Sequence, residues 1–351
     1  MREFGSEFEI EYARDSYFDD ICALKPYSAL TRSGREAIGL AALAVEKGIV
    51  LMPAYCCWSM ELPFAVAGHS VVYYRLNSDL SVDKDHYMEQ LFKYKPKAVF
   101  LVDYFGFVTH DDIIHITKEY NPSIQIIEDF TQSLFSLDEK INPLVDVYVA
   151  SIRKSLGVPD GGIVISSVYI DRSLLQDGND TPFVTYHITA GRLKKRYAYN
   201  AEPATKASFR ILQARANQDI KDNFGLYSMS AESMSVIKHT IVGEVKQARR
   251  DNYSHLYDLI NSKVNVLFAP SEANPSPFMM PIIVEDRDNL QQLFAQEGLY
   301  TQVLWPLKEE TRQICPMATR MEAHMLALPI DQRYDYYDIE EMSAIINRVI
   351  V

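Results

Sequence analysis

Between residues 49 and 166, short apolar runs rich in Val, Ile and Tyr alternate with segments whose apolar residues recur at helical spacing. This alternation constrains the fold of the 351-residue chain more than any other feature. The runs are Ile49–Met52, Ser70–Tyr74, Ala98–Tyr104, Ile124–Ile127, Val145–Ala150 and Gly162–Ser166, and the helical segments include Gly34–Lys47, Asp85–Tyr94 and Asp111–Tyr120. Strands alternating with helices of this length imply βαβ units and a largely parallel sheet. Such sheets bind ligands beyond the carboxyl ends of their strands, so chemistry is to be sought just after each apolar run.

Past residue 168 the pattern changes. A basic stretch, Gly191–Arg196, leads into a long helical region over Ser208–Ser262. A second α+β pattern follows: a strand at Pro281–Val284, a helix at Arg287–Glu297, an extended segment at Leu326–Pro329 and a closing helix at Asp338–Val349. We place a large domain at residues 1–235 and a smaller C-terminal α+β domain at 236–351. A net charge of −12 disfavours a polyanion partner, because phosphate backbones demand clustered Lys and Arg, so no nucleic acid is expected. The basic run Arg192–Arg196 suits a phosphorylated substrate or simply a solvated helix end. Four cysteines without CxxC spacing point to a reducing compartment. The start of the chain shows no apolar leader. The longest uncharged run, Gly48 to Met60, contains Pro53 and falls short of the ~20 residues a membrane span needs. A cytoplasmic protein is expected, with no membrane partner.

Three constellations carry chemistry. Ser33-Gly34-Arg35 opens an apolar helix, and a helix entered through Ser-Gly offers free N–H groups and a positive dipole end to a phosphate; Arg35 adds a charge, and an ordinary Ser N-cap fits the same residues. Asp129 follows the run Ile124–Ile127, where a carboxylate can hold a protonated ring nitrogen or cap a helix. Lys154 stands just past Val145–Ala150, three residues after Ser151 and ahead of Pro159-Asp160-Gly161-Gly162. A lysine partly desolvated there, or lying beside Arg153, attacks carbonyls to form Schiff bases, whereas a surface lysine would do nothing. Ser151 can reach the same phosphate as Ser33.

The order of these elements resembles that of fold-type I enzymes using pyridoxal 5′-phosphate (PLP), and in detail the chain resembles the DegT/DnrJ/EryC1/StrS aminotransferase family. SGREAI is similar to the family's SGTxAL loop, VLMPAYCCWS to VIxPxxTFxAT, DYFGF to HxYG and IEDFTQS to IEDAAQS. SIRKSLGVPDGG stands where the family has SFHxxKxxxxxEGG. Towards the C-terminus, ARRDNYSHL resembles RRxxxxxYxxxL, and LALPID with DIEEM resembles the closing LPI…ED segment.

The resemblance implies a large domain with a mostly parallel seven-stranded sheet flanked by helices, and PLP as cofactor. It makes Lys154 the Schiff-base lysine and proton shuttle, Asp129 the partner of the pyridinium nitrogen, Gln132 a donor to the phenolic oxygen, and Ser33, Gly34, Arg35 and Ser151 the phosphate holders. Arg35 replaces the family's SGT threonine, Cys57 with Trp58 beside it stands at the ring-stacking position, and Asp103 stands at the HxYG histidine. Cys56 and Cys57 read as small buried residues, and no metal is expected. Leu226 and Asn200 are candidates for the residue a neighbouring subunit contributes. The implied reaction moves an amino group from an amino acid, probably glutamate in this family, to a keto substrate such as a nucleotide-linked keto sugar, within a homodimer sharing its sites. Elimination on the same scaffold, or a PLP-binding protein without transaminase activity, are the alternatives.

Overall fold

The computed structural model describes residues 15–260, 262–271 and 276–350; the start of the chain, on which the leader reading rests, lies largely outside the described residues. Seven strands form the main sheet: β1 Tyr27–Thr31, β2 Ile49–Pro53, β3 Ser70–Tyr74, β4 Ala98–Val102, β5 Gln125–Asp129, β6 Val147–Ala150 and β7 Gly162–Ser166. Their order is β1-β7-β6-β5-β4-β2-β3. Only β7 is antiparallel to both its neighbours; the other pairings are parallel. Every residue of β4, β6 and β7 is buried, as a sheet covered on both faces requires. Six of these strands match apolar runs in the sequence to within a few residues. The seventh, β1, has a half-exposed pattern and carries no such run.

Register brings the chemistry to one edge. Val102 of β4 pairs with Asp129 of β5, and Asp129 with Val149 of β6, so the residues leaving these strands emerge side by side. Because β7 runs the other way, its first residue, Gly162, lies at that same edge, opposite Thr31 at the end of β1. Asp103, Asp129, Ser151, Gly161 and Ser33 therefore share one rim, although they are far apart in sequence.

A smaller antiparallel sheet follows, in the order β10-β9-β8, from β8 Asn265–Val266, β9 Met280–Ile283 and β10 Met325–Leu328. Its strands pack with the helices Val242–Ile260 and Tyr336–Val349 around a second core that includes Leu256, Met280, Leu326 and Ile346. The long helical region expected over Ser208–Ser262 is instead divided into Pro203–Asp222, Ala231–Ile237 and Val242–Ile260. The break has a cause: Tyr227 and Ser228 leave the helix to bridge Gln176 and Thr31, and Ser230 then caps the next helix. The basic run Gly191–Arg196 lies within another helix, Pro182–Asn200, which pairs with Pro203–Asp222 as a helical hairpin. No helix among the described residues is long and apolar enough to cross a membrane.

The tightest passage in the fold lies at the rim. A Cβ on Gly162 would collide with the Ser33 carbonyl and lie 2.6 Å from the Gly34 nitrogen. We expect Gly162→Ala to destabilise the protein by about 2 kcal/mol through overpacking. Gly191→Ala, in a helix with open space around the site, should be neutral or stabilise by up to ~1 kcal/mol. Urea unfolding of both variants checks this, and equal effects would refute the close passage.

Candidate active site

The helix Gly34–Ala44 starts at Ser33, and its N-terminus presses against the end of β6: a Cβ on Gly34 would lie 2.9 Å from Ser151 Cβ. Ser33 bridges Gly161, whose N–H donates to the Arg32 carbonyl at 2.7 Å. First-turn N–H groups of a helix have no intrahelical partner. Two side-chain atoms here are also buried without a partner, the Ser33 hydroxyl and Arg35 Nε. Open donors gathered at a positive helix end, in a cradle that glycines at 34 and 162 keep free of side chains, suit an anion.

The Ser33 side chain leaves its own helix uncapped: the Glu36 N–H donates to the Ser33 backbone carbonyl at 3.1 Å instead. Ser33 and Glu36 have capping-box spacing, yet Ser33 makes no capping bond. Glu36 turns instead to Arg32, with Oε1 accepting from Nε at 2.8 Å and Nη2 at 2.7 Å. The pair is almost wholly buried. Arg32 also lies 4.1 Å from the Tyr227 ring centroid and 5.6 Å from that of Phe183. Burial pushes the Glu36 carboxyl up to about 7 against the pull of Arg32.

Asp129 ends β5 as a buried carboxyl. Its Oδ1 accepts the Thr131 N–H at 2.8 Å, and the Thr131 hydroxyl accepts the Ser151 N–H at 3.0 Å. Thr131 thus ties the strand-end carboxylate to the anion-side serine, a role the sequence did not signal. Burial raises the Asp129 pKa, opposed by Thr131 and by the charge of Lys154. Such a carboxyl calls for a cationic partner. Gln132 is buried and accepts the Phe105 N–H through Oε1 at 2.8 Å.

Lys154 ends a short 3-10 turn after β6. It is exposed rather than partly desolvated. With Gln132 it lines a cavity of about 370 Å³, within the range of small-molecule sites. The opposite wall comes from the C-terminal part: Arg249 and Asp331, which stand in the ARRDNYSHL and LALPID segments, and Trp305 and Arg333, which the sequence reading did not single out. Arg249 is fully buried and donates to the carbonyls of Phe278 and Ser155, each at 3.1 Å, so it pins this wall beside Lys154. Tyr55 donates to the Leu304 carbonyl at 3.1 Å, holding Trp305 next to it.

The remaining sequence candidates lie as follows. Arg35 reaches away from the rim: its Nη1 donates to the Ile220 carbonyl, and its guanidinium stacks 4.7 Å from the Trp58 ring centroid. Cys57 caps the helix Trp58–Val66, and its sulfur accepts from Ser59 Oγ at 3.0 Å. Asp103 is buried beside Lys140, at 3.3 Å. Leu226 packs on Gly39 of its own chain. Asn200 is exposed at the hairpin tip. Asp160, in the Pro-Asp-Gly-Gly turn, accepts Ser230 N–H at 2.8 Å and Ser230 Oγ at 2.6 Å, fastening the turn after Lys154 to the helix Ala231–Ile237.

No family model matches this sequence, and no curated protein matches it with significance. Solved structures match over nearly the whole chain. A DegT DnrJ EryC1 StrS aminotransferase from Brucella abortus has a TM-score of 0.64 at 15% identity, covering 96% of this chain and 91% of that one. Helicobacter pylori PseC, an aminotransferase involved in pseudoaminic acid biosynthesis, has 0.67 at 13%, covering 99% of each. The putative sugar aminotransferase Spr1654 from Streptococcus pneumoniae, in its PMP form, has 0.65 at 14%, covering 98% and 93%. The chain has the fold of these aminotransferases.

Glu36 provides a test of the rim's electrostatics. A carboxyl near 7 when folded, against 4.5 ordinarily, takes up a proton on folding between those values, so its contribution to stability falls as pH rises through that window and is level above it. The stability of wild type relative to Glu36→Gln should drop by about 2 kcal/mol from about pH 5 to about pH 8. Urea unfolding at the two pH values measures this; a difference independent of pH would show that Glu36 is ionised throughout.

Proposed function

We propose that this protein is a PLP-dependent aminotransferase that moves an amino group from an amino acid, with glutamate the first donor to test, to a keto substrate of the nucleotide-linked sugar class. The observation that carries the reading is the shared rim. A buried carboxyl, a lysine whose charge reaches it and an anion cradle with open donors emerge from neighbouring strands. The residues fit the cofactor at both ends, through the Ser33 hydroxyl and the first-turn N–H groups of the helix Gly34–Ala44 for its phosphate and through Asp129 for a protonated ring nitrogen. The likeness to aminotransferase structures, one in its PMP form, supports the same reading.

PLP, when bound, supplies an electron sink for the pair left as the substrate α-carbon loses its proton. In this reading Ser33, Gly34, Arg35 and Ser151 hold the phosphate, and Asp129 keeps the ring nitrogen protonated. Thr131 holds the Asp129 carboxylate in the orientation to do so. Gln132 is placed to hydrogen-bond the phenolic oxygen. Lys154 Nζ binds the cofactor covalently between turnovers, then takes the α-proton as general base and returns it as general acid. Cys57 and Trp58, after β2, stay the candidates for stacking on the cofactor ring. The wall with Arg249, Trp305 and Arg333 closes the cavity from the C-terminal part and excludes water. In the same reading the large domain ends at 235 and the small domain begins at 236, and we assign the working unit as a homodimer.

Lys154→Ala should abolish turnover and the visible absorption band of lysine-bound PLP. Asp129→Asn should keep the cofactor while losing at least about a hundredfold in turnover. Titration of PLP-loaded protein with glutamate and other amino donors, followed by absorbance, provides the check: the band should bleach in wild type. A band that no donor bleaches would favour a PLP-binding protein without transaminase activity, and near-normal turnover of Asp129→Asn would remove that residue from the mechanism.

A further inference from the structure

The chain leaves β4 through a turn that most residues avoid. Within Asp103–Gly106, Phe105 has a φ of +56° and Gly106 one of +82°. A residue with a bulky ring stays in the left-handed region only where its surroundings hold it there. Both backbone groups of Phe105 are bound. Its N–H donates to Gln132 Oε1 at 2.8 Å, and its carbonyl accepts the Phe278 N–H at 3.3 Å. Gln132 lines the cavity on the rim side and Phe278 on the C-terminal side, so Phe105 links the two walls. A change of φ rotates the carbonyl relative to the N–H, and keeping both bonds therefore depends on the turn keeping its shape.

Lys140, from the loop after β5, holds that shape. Its ammonium donates to Asp103 Oδ2 at 3.3 Å and to the Gly106 carbonyl at 2.8 Å, clasping the first and last residues of the turn. The lysine side chain is 15% exposed and the aspartate side chain 2%, so salt screens their attraction little. The Asp103 N–H donates to the Asp129 carbonyl at 3.1 Å and anchors the turn to the end of β5. Gln132 and Lys140 belong to one loop, which thus grips the loop after β4 at two points. A histidine at position 103, as in the HxYG motif, would offer Lys140 no fixed negative charge.

We propose that Lys140 is a positioning residue for Gln132: by clasping Asp103 and Gly106 it keeps the Phe105 N–H on Gln132 Oε1 and so presents the Nε2 end of the amide to the cavity. A primary amide has an acceptor at one end and donors at the other, whereas a backbone N–H can only donate. Phe105 therefore decides which end of Gln132 is left for a ligand. Once released, the amide can turn over and set its own oxygen against a ligand oxygen, lone pair to lone pair. The clasp itself needs no cofactor; the contact of Nε2 with a phenolic oxygen rests on the aminotransferase reading above.

Two measurements on the full chain test this, in wild type, Lys140→Met, Gln132→Ala and the double variant. Without cofactor, amide hydrogen exchange at Phe105 should quicken by about fivefold in Lys140→Met, and the lysine change should add nothing once residue 132 is changed to alanine. With PLP bound, the pH midpoint of the band of lysine-bound PLP should rise by about one unit in Lys140→Met and in Gln132→Ala. A donor on the phenolic oxygen shares its charge, and without that donor the oxygen holds the neighbouring proton more tightly. The double variant should rise no further than Gln132→Ala. A lysine effect that persists undiminished in the double variant means that Lys140 acts by its charge alone and overturns the proposal. Exchange at Phe105 unchanged in Lys140→Met overturns it too. Asp103→Asn weakens the clasp without removing the lysine and should move both readouts the same way by less, which decides the matter if Lys140→Met does not fold. No band in any of the proteins removes the aminotransferase reading, and exchange at Phe105 then decides the clasp by itself.

Discussion

The backbone of Ser33 and Gly34 passes Gly162 so closely that any side chain at 162 would displace it, and the candidate site is organised around this contact. It fixes the N-terminus of the helix Gly34–Ala44 against the strand ends, where the Gly161 N–H holds the Arg32 carbonyl and the Ile152 N–H holds the Gly161 carbonyl at 3.0 Å. The loop that carries Lys154 is thereby tied to the loop that carries Ser33. The contact exists only because β7 runs against the other strands, which returns the chain to the rim it has just left. A seventh parallel strand would have placed Gly162 at the far edge of the sheet and left the helix end without a wall.

Charge around this contact is arranged so that few carboxyls are left to compete for the anion. Asp160 is occupied by Ser230 and Ser233, and Glu36 by Arg32. Asp129 has one oxygen bound by Thr131 and no full ion pair, in a setting that raises its pKa through burial. A buried carboxyl in that condition is costly unless a cation meets it. Asp129 and the open donors at the helix end thus share one rim, which is the charge pattern that suits a ligand with a cation at one end and an anion at the other. The chain's overall charge of −12 says nothing of this, because it describes the surface.

The strands and most crossover helices were legible in the sequence because β4, β6 and β7 are buried on both faces and so read as unbroken apolar runs. β1, half exposed, left no such trace. The end of the helix Pro203–Asp222 was overlooked although Asn223 and Gly225 mark it locally; the bridges from Tyr227 to Gln176 and from Ser228 to Thr31, which keep the chain irregular beyond it, leave no local trace. Of the site, Ser33, Asp129, Ser151 and Lys154 were visible as residues following strands or opening a helix. Thr131 was not, because its hydroxyl acts on a residue twenty positions away. The cavity wall with Trp305 and Arg333 was equally hidden, and Arg249 was visible only as part of the ARRDNYSHL segment, for no local pattern says which late residues fold back over an early loop.

Ser33 shows why local rules were a poor guide at this one position. Its spacing to Glu36 specifies a capping box, and a completed box would have stabilised the helix while filling the hydroxyl and a first-turn N–H. Arg32 diverts the glutamate, and the aromatic rings of Tyr227 and Phe183 hold the arginine in place. The helix forgoes about 1 kcal/mol of capping and keeps a buried serine hydroxyl uncommitted to its own backbone. A break in a local rule with a specific residue arranged to cause it is the mark of a binding position rather than of poor folding. The segment that supplies Tyr227 is the same one that interrupts the long helical region, so the irregular stretch between the helices holds Arg32 against Glu36 at the start of the helix Gly34–Ala44.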